Sequence, residues 1–139
     1  MVMAQFSVRI PADLQAVWNA VVTVEWYAAW RSDLSRAERV SDSRFVEYTR
    51  RGFPTSFTVT AVEPHRRWEF DLENANMTGH WIGIFQAGEG ETYLHLTERV
   101  QVKRPVPEPS VKLFLARQQR RFAADLKKAL KRMKCGQSV

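Results

Sequence analysis

Three polar side chains interrupt stretches of the chain that are otherwise apolar, and each could do chemistry: His80, Glu98 and Gln118. A carboxylate beside an imidazole on an apolar wall could hold the ring charged or fix its tautomer, and either state suits proton transfer or the orientation of a ligand's polar end. His80 and Glu98 are therefore the candidate catalytic pair, if any reaction occurs. The competing reading is a satisfied hydrogen bond at a sheet margin, or plain solvent exposure. Gln118 falls between Leu115 and Phe122 on the apolar arc of a C-terminal helix, where its amide could face a cavity or equally bond a loop carbonyl.

Other chemistries lack their residues. His65, His80 and His95 have no metal-ligand spacing, and the single cysteine, Cys135, cannot make a zinc site. There is no H-E-x-x-H, P-loop or G-x-G-x-x-G, and no nucleophile elbow. The expectation is no metal and no cofactor.

The elements that must position these residues follow from periodicity. Gln5 to Ile10 alternates as a half-buried strand. Pro11 and Asp13 open a helix that repeats Leu14, Val17, Trp18 and Val21 at helical spacing, and Trp26, Tyr27 and Trp30 share a face on a second short helix. Arg36 to Thr60 reads as three strands. Trp68, Phe70 and Leu72 alternate with charged residues, so the next strand has one buried and one wet face. Strands over Met77–Gln86 and Glu91–Lys103 follow, joined by Gly88-Glu89-Gly90. Beyond a segment with three prolines, a long helix from about Ser110 to Met133 aligns Val111, Leu115, Phe122, Leu126, Ala129 and Met133 on one arc.

Turn positions predict the faces. A loop centred near Ala75 puts Trp68 opposite Ile82 and Phe70 opposite His80. A hairpin centred on Glu89 puts Ile82 opposite Leu96 and His80 opposite Glu98. Even-numbered residues, including Leu72, Ile84 and Leu94, then share one concave apolar face, and a one-residue slip would reverse the assignment. Tyr27 and Trp30 could cap the mouth of a pocket on that face or pack beneath the short helices; Trp68 and Phe122 serve as core or ligand wall. The opposite parity leaves Trp81, Phe85 and Tyr93 on the convex surface, an aromatic patch suited to a homodimer.

At 139 residues the chain suits one domain, expected over residues 1–135 with a short tail at 136–139. The lone cysteine and the absence of a secretion signal or a membrane-length apolar run point to a soluble cytoplasmic protein. The net charge of +6 is uneven: Ser110 to Cys135 holds nine Lys/Arg against Asp125, so it carries +8 and the rest −2. This basic face has no interleaved aromatics for stacking on bases, which argues against nucleic acid. A solvated outer face is the commonest case, with contact to an anionic surface or an acidic partner as the alternative.

The order of elements, strand, two helices, six strands, long helix, resembles the helix-grip order of the START-like (SRPBCC) superfamily, particularly its polyketide cyclase/dehydrase and lipid-transport branch. The stretches that carry the resemblance are Ile10-Pro11-Ala12 through Val17-Trp18, Tyr27-Ala28-Ala29-Trp30, Val62-Glu63-Pro64 through Arg67-Trp68-Glu69-Phe70, and Gly90 to Glu98. The resemblance implies an α+β fold in which a curved antiparallel sheet of six to seven strands grips the C-terminal helix, with a cavity for a hydrophobic molecule between them. The leading functional expectation is binding or transport of a lipid, polyketide or quinone-like molecule. Alternatives are a polyketide aromatase/cyclase-dehydratase and an interaction module of the chaperone-regulator type, since one fold hosts many functions.

Overall fold

The computed structural model describes residues 1–137, with side chains described through Arg132. Strand β1 (Val2–Ile10) turns its even-numbered residues inward, with Val2, Ala4 and Ile10 buried. Helix α1 (Leu14–Val22) starts at Asp13, whose carboxylate accepts the Ala16 backbone N–H at 2.8 Å and so satisfies one of the free donors of the first turn. Val17, Trp18 and Val21 form its buried face. A 3-10 turn at Val24–Trp26 leads into the single-turn helix α2 (Tyr27–Trp30).

Six strands follow: β2 (Leu34–Arg39), β3 (Arg44–Thr49), β4 (Pro54–Glu63), β5 (Arg67–Glu73), β6 (Met77–Ala87) and β7 (Thr92–Val102). All neighbours are antiparallel, in the order β1-β7-β6-β5-β4-β3-β2. Connections among β2 to β7 are hairpins; α1 and α2 carry the chain from one sheet edge to the other. Register shifts between Leu34 and Arg36 and between Val59 and Ala61 are the kind of bulge that bends a strand and curls a sheet. Helix α3 (Glu108–Gln137) lies along β1 and against α1 and α2. The core runs between the sheet's inner face and α3, from Ile10 through Phe45 and Leu96 to Leu126 and Leu130. This is the helix-grip arrangement that the sequence predicts. Among the described residues no helix is long and apolar enough to cross a membrane.

The expected register of β6 is wrong by one residue at both of its edges. Trp68 pairs with Gly83 and Phe70 with Trp81, while Trp81 pairs with Glu98 and Gly83 with Leu96. Both turns are tighter than expected. Asn74 N–H bonds the Met77 carbonyl at 3.0 Å around Ala75-Asn76, and Gly88 N–H bonds the Glu91 carbonyl at 2.8 Å around Glu89-Gly90. Asn74 locks the first by accepting the backbone N–H groups of Asn76 and Met77 on its side-chain oxygen. Gly90 supplies a φ of +67° in the second. The two slips cancel across β6, so β5 and β7 keep their even-numbered residues inward while β6 turns its odd-numbered ones in.

The consequences are concrete. Trp81 and Phe85 belong to the core, and His80, Ile82 and Ile84 lie on the convex side. The expected aromatic patch for a homodimer does not form. Of its three members only Tyr93 is exposed, at 43%, and it pairs with Gln86 rather than Phe85.

On α3 the buried arc is Val111, Leu115, Gln119, Ala123, Leu126 and Leu130; Phe122 and Ala129 sit at its half-buried margin. The side chains of Met133 and Cys135, singled out in the sequence, lie outside the described residues.

Candidate ligand-binding cavity

A cavity of about 140 Å³ opens between the inner sheet and α3. Its floor is aromatic. Phe57, Phe70, Trp68 and Trp81 interlock, with Phe70 stacked on Trp81 at 4.7 Å and Trp68 edge-on to Phe70 at 5.2 Å. Phe122 closes the helix side, edge-on to Trp81 at 6.3 Å and to Trp30 at 5.6 Å. Exposed Phe114 and Gln118, both on α3, mark the mouth.

Inward parity on β7 delivers Leu94, Leu96 and Glu98 to the inner face. Glu98 is 8% exposed and lines the cavity. Burial, reinforced by the negative charge of Glu47, pushes its carboxyl up to about 7, against a smaller opposing pull from Arg31. No hydrogen bond enters that balance. The carboxyl is thus a polar group on an apolar wall, facing open space.

A second polar group stands beside it. Arg31, the residue after α2, reaches inward and is held on three sides. Its Nε and Nη2 donate to the Asp33 carboxylate at 3.2 and 2.8 Å, and its Nη1 donates to Glu47 at 2.9 Å. The guanidinium also lies over the rings of Tyr27, at 5.1 Å, and Phe122, at 5.4 Å. Burial works against the Arg31 charge, but Glu47 and Asp33 outweigh it and raise its pKa. Burial raises the pKa of Glu47 in spite of Arg31. The loop is clamped from outside. Asp125 of α3 accepts both the backbone N–H and the hydroxyl of Ser32 at 2.8 Å, and Arg50 Nε donates to the Ser32 carbonyl at 2.7 Å. The sequence shows α3 as basic; one of its two acids, Asp125, clamps the loop that carries the cavity's arginine.

The structure brings together Tyr27, Trp68, Phe70, Leu96, Glu98, Gln118 and Phe122 around this space. Tyr27 contributes only its ring, because its hydroxyl donates to the Val21 carbonyl, and burial raises its pKa. Trp30 packs behind the wall against Tyr27 and Phe122, and Leu94 is core beneath the sheet's far end. The amide expected of Gln118 has a buried counterpart one residue on, where Gln119 Nε2 donates to the Ala4 carbonyl at 3.1 Å and joins α3 to β1.

His80 and Ile82 are not in the cavity. His80 bonds Asp71 at 2.6 Å through Nδ1 and Glu69 at 2.8 Å through Nε2, all on the convex face. Burial works to lower its pKa, but these two carboxylates raise it on balance. The His80–Glu98 pair therefore does not exist, because the slipped register places them on opposite faces of the sheet.

Sequence reasoning missed Arg31, Asp33 and Glu47. The one signal present was Glu47, two residues from Phe45 on a strand where Phe45 is an obvious inward residue. Among the described residues no cluster of His, Cys, Asp or Glu has the geometry of a metal site.

A sheet wrapped on a terminal helix, with a lined space between them, defines a START-like helix-grip protein. The chain belongs to the family described as polyketide cyclase / dehydrase and lipid transport, whose model matches residues 1–135. No curated protein matches the sequence. Among solved structures, a START superfamily protein from Mycobacterium smegmatis superposes with a TM-score of 0.88 at 17% identity, covering 94% of this chain and 98% of that one. A conserved protein from Geobacillus kaustophilus gives 0.82 at 10% identity, covering 92% and 94%. DynU16, a protein of the dynemicin biosynthetic locus, gives 0.77 at 19% identity, covering 94% of this chain and 48% of that one. At these identities the likeness speaks for the fold alone.

Proposed function

We infer that this chain binds a small, mainly apolar molecule between its sheet and α3. The observation that supports this is Glu98: a carboxyl on a residue only 8% exposed, facing an aromatic-walled space. No buried side-chain oxygen or nitrogen among the described residues lacks a partner, so the Glu98 carboxyl oxygens keep access to the cavity, where a ligand's polar end can bond them. Typical ligand pockets span about 300–1,000 Å³, so the 140 Å³ here suits a compact ligand or requires Phe114 and Phe122 to swing aside for a larger one. An open, lined cavity also favours ligand binding over a pure interaction module.

Calorimetric titration with benzyl alcohol tests the reading. Saturable binding is expected in the natural chain. It should be lost in Gln118→Trp, which plugs the mouth from an exposed helix position while leaving the unfolding midpoint in place. Absence of saturable binding to the natural chain would remove the proposal.

One observation favours a cyclase or dehydratase instead. A carboxyl pushed up to about 7 populates both protonation states near neutrality, which is what general acid–base work requires. As a base Glu98 would take an α-proton from a bound ketone, leaving the enolate, and as an acid it would return one. Exchange of the methyl protons of acetophenone in D2O, followed by NMR, should then be accelerated by the protein and fall about 10²–10⁴-fold in Glu98→Gln. Equal exchange with and without protein would leave the binding reading alone.

A further inference from the structure

Resting on the reading that this cavity binds a small apolar molecule, we propose that its ligand is a small aromatic amine, held with its ammonium group on Glu98, and that carboxylate-bearing ligands are excluded. The cavity's charges decide this. Its lining holds three carboxyls, Asp33, Glu47 and Glu98, and one cation, Arg31. Arg31 is already committed: three of its N–H donors go to Asp33 and Glu47, and aromatic rings cover its plane. Its charge is already offset twice over by those two carboxylates, so an incoming anion meets no net positive charge there.

α3 adds no charged partner, since its contributions to the lining are Phe114, Gln118, Gln119 and Phe122, and β5 and β6 bring only the apolar side chains of Trp68, Phe70, Leu72, Met77 and Trp81. A fatty-acid carboxylate in this space would meet Glu98 and Glu47 at close range in a poorly screened interior, where like charges repel strongly. A cation meets the reverse situation. Glu98 supplies an acceptor without a competing donor, and it pairs across the ladder with Trp81, whose ring system with Phe70 and Trp68 offers faces that attract an ammonium group.

Size sets the rest. An apolar cavity of about 150 Å³ accommodates benzene, so the 140 Å³ here matches a single ring bearing a short polar arm. The surplus of carboxyls gives that arm its sign.

Three probes of nearly equal size separate the possibilities: benzylamine, benzyl alcohol and benzoate, titrated calorimetrically into the whole chain at pH 8, where Glu98 is mostly ionised and the amine protonated. Benzylamine should bind at least about tenfold more tightly than benzyl alcohol, the lower end of what a charge-assisted hydrogen bond in a dry site contributes. Benzoate should show no binding. In Glu98→Gln the preference for benzylamine over benzyl alcohol should disappear. Benzyl alcohol binding as tightly as benzylamine, or measurable benzoate binding, would overturn the charge selection while leaving the cavity reading intact. A Glu98→Gln variant that kept the amine preference would overturn the role of that residue. Failure of all three probes on the natural chain would remove the cavity reading and this inference with it.

Discussion

Glu98 carries a pH dependence whose sign is fixed by its surroundings. In the fold its proton is held up to about pH 7, against an ordinary value of 4.5. Between these values the unfolded chain binds fewer protons than the folded one, so stability falls as pH rises. The favourable contribution is complete below about 4.5 and lost as pH rises through about 7, a swing of about 3 kcal/mol. Glu98→Gln should flatten it. Urea denaturation at pH 5 and pH 8 is expected to show the variant gaining on the natural chain by about 2–3 kcal/mol at the higher pH; an unchanged difference would mean that Glu98 stays ionised and hydrated.

His80 behaves oppositely as a test residue. Its bonds to Glu69 and Asp71 lie on the convex face at 31% side-chain exposure, so His80→Ala should leave benzyl alcohol binding unchanged and cost about 0.2–1 kcal/mol. That cost should be fully present below the ordinary histidine value and fade as pH rises through the raised folded value. Arg31→Ala should be far more damaging, at about 3–5 kcal/mol by chemical denaturation, because it strands Glu47 in the interior. Of these residues only Glu98 was legible in the sequence as a cavity group, because β7 alternates cleanly over eleven residues. Arg31 and Glu47 sit in short segments and become partners only through the tertiary fold, sixteen residues apart.

At the scale of elements, β6 shows where pattern reading ends. Its residues Trp81-Ile82-Gly83-Ile84-Phe85 are apolar on both parities, so alternation cannot choose a face and the decision falls to turns whose lengths differ by one residue. The glycine was the unused signal. A side chain at Gly83 would place its Cβ 2.7 Å from the Trp81 indole, so the bulky inward pair Trp81 and Phe85 fits only with an empty position between them. Gly83→Ala should therefore cost about 1–3 kcal/mol, the usual range for overpacking, and shift the tryptophan emission as the indole moves. A neutral result would place the indole elsewhere. By contrast β1, β5 and β7 were readable because mostly polar residues alternate with mostly apolar ones along them. The arc of α3 was readable to within one position at its margin, where Gln119 rather than Phe122 takes a fully buried place by donating to the β1 backbone.

At the scale of the molecule, bulk charge and site charge point in opposite directions. The basic residues Lys112, Arg117, Arg120, Arg121, Lys127, Lys128, Lys131 and Arg132 are all exposed on α3, while the cavity beneath the same helix is lined by carboxyls in excess. The net +6 therefore describes what the surface attracts, not what the interior accepts. Sheet and helix are nevertheless one body, because a single core joins Leu126 and Leu130 of α3 to Trp68, Trp81 and Phe85 of the sheet. Leu126 has no exposed surface, and truncating a leucine so placed typically costs about 2–5 kcal/mol. The shared core determines how that loss should appear. In Leu126→Ala the far-UV circular dichroism of the helix and the emission of the sheet tryptophans should move to lower urea together and remain superimposable, as two-state unfolding requires. A helix signal that melted ahead of the tryptophans would mean that α3 is a lid resting on an independently stable sheet, and the cavity would then open by release of the helix rather than by movement of Phe114 and Phe122 at its mouth.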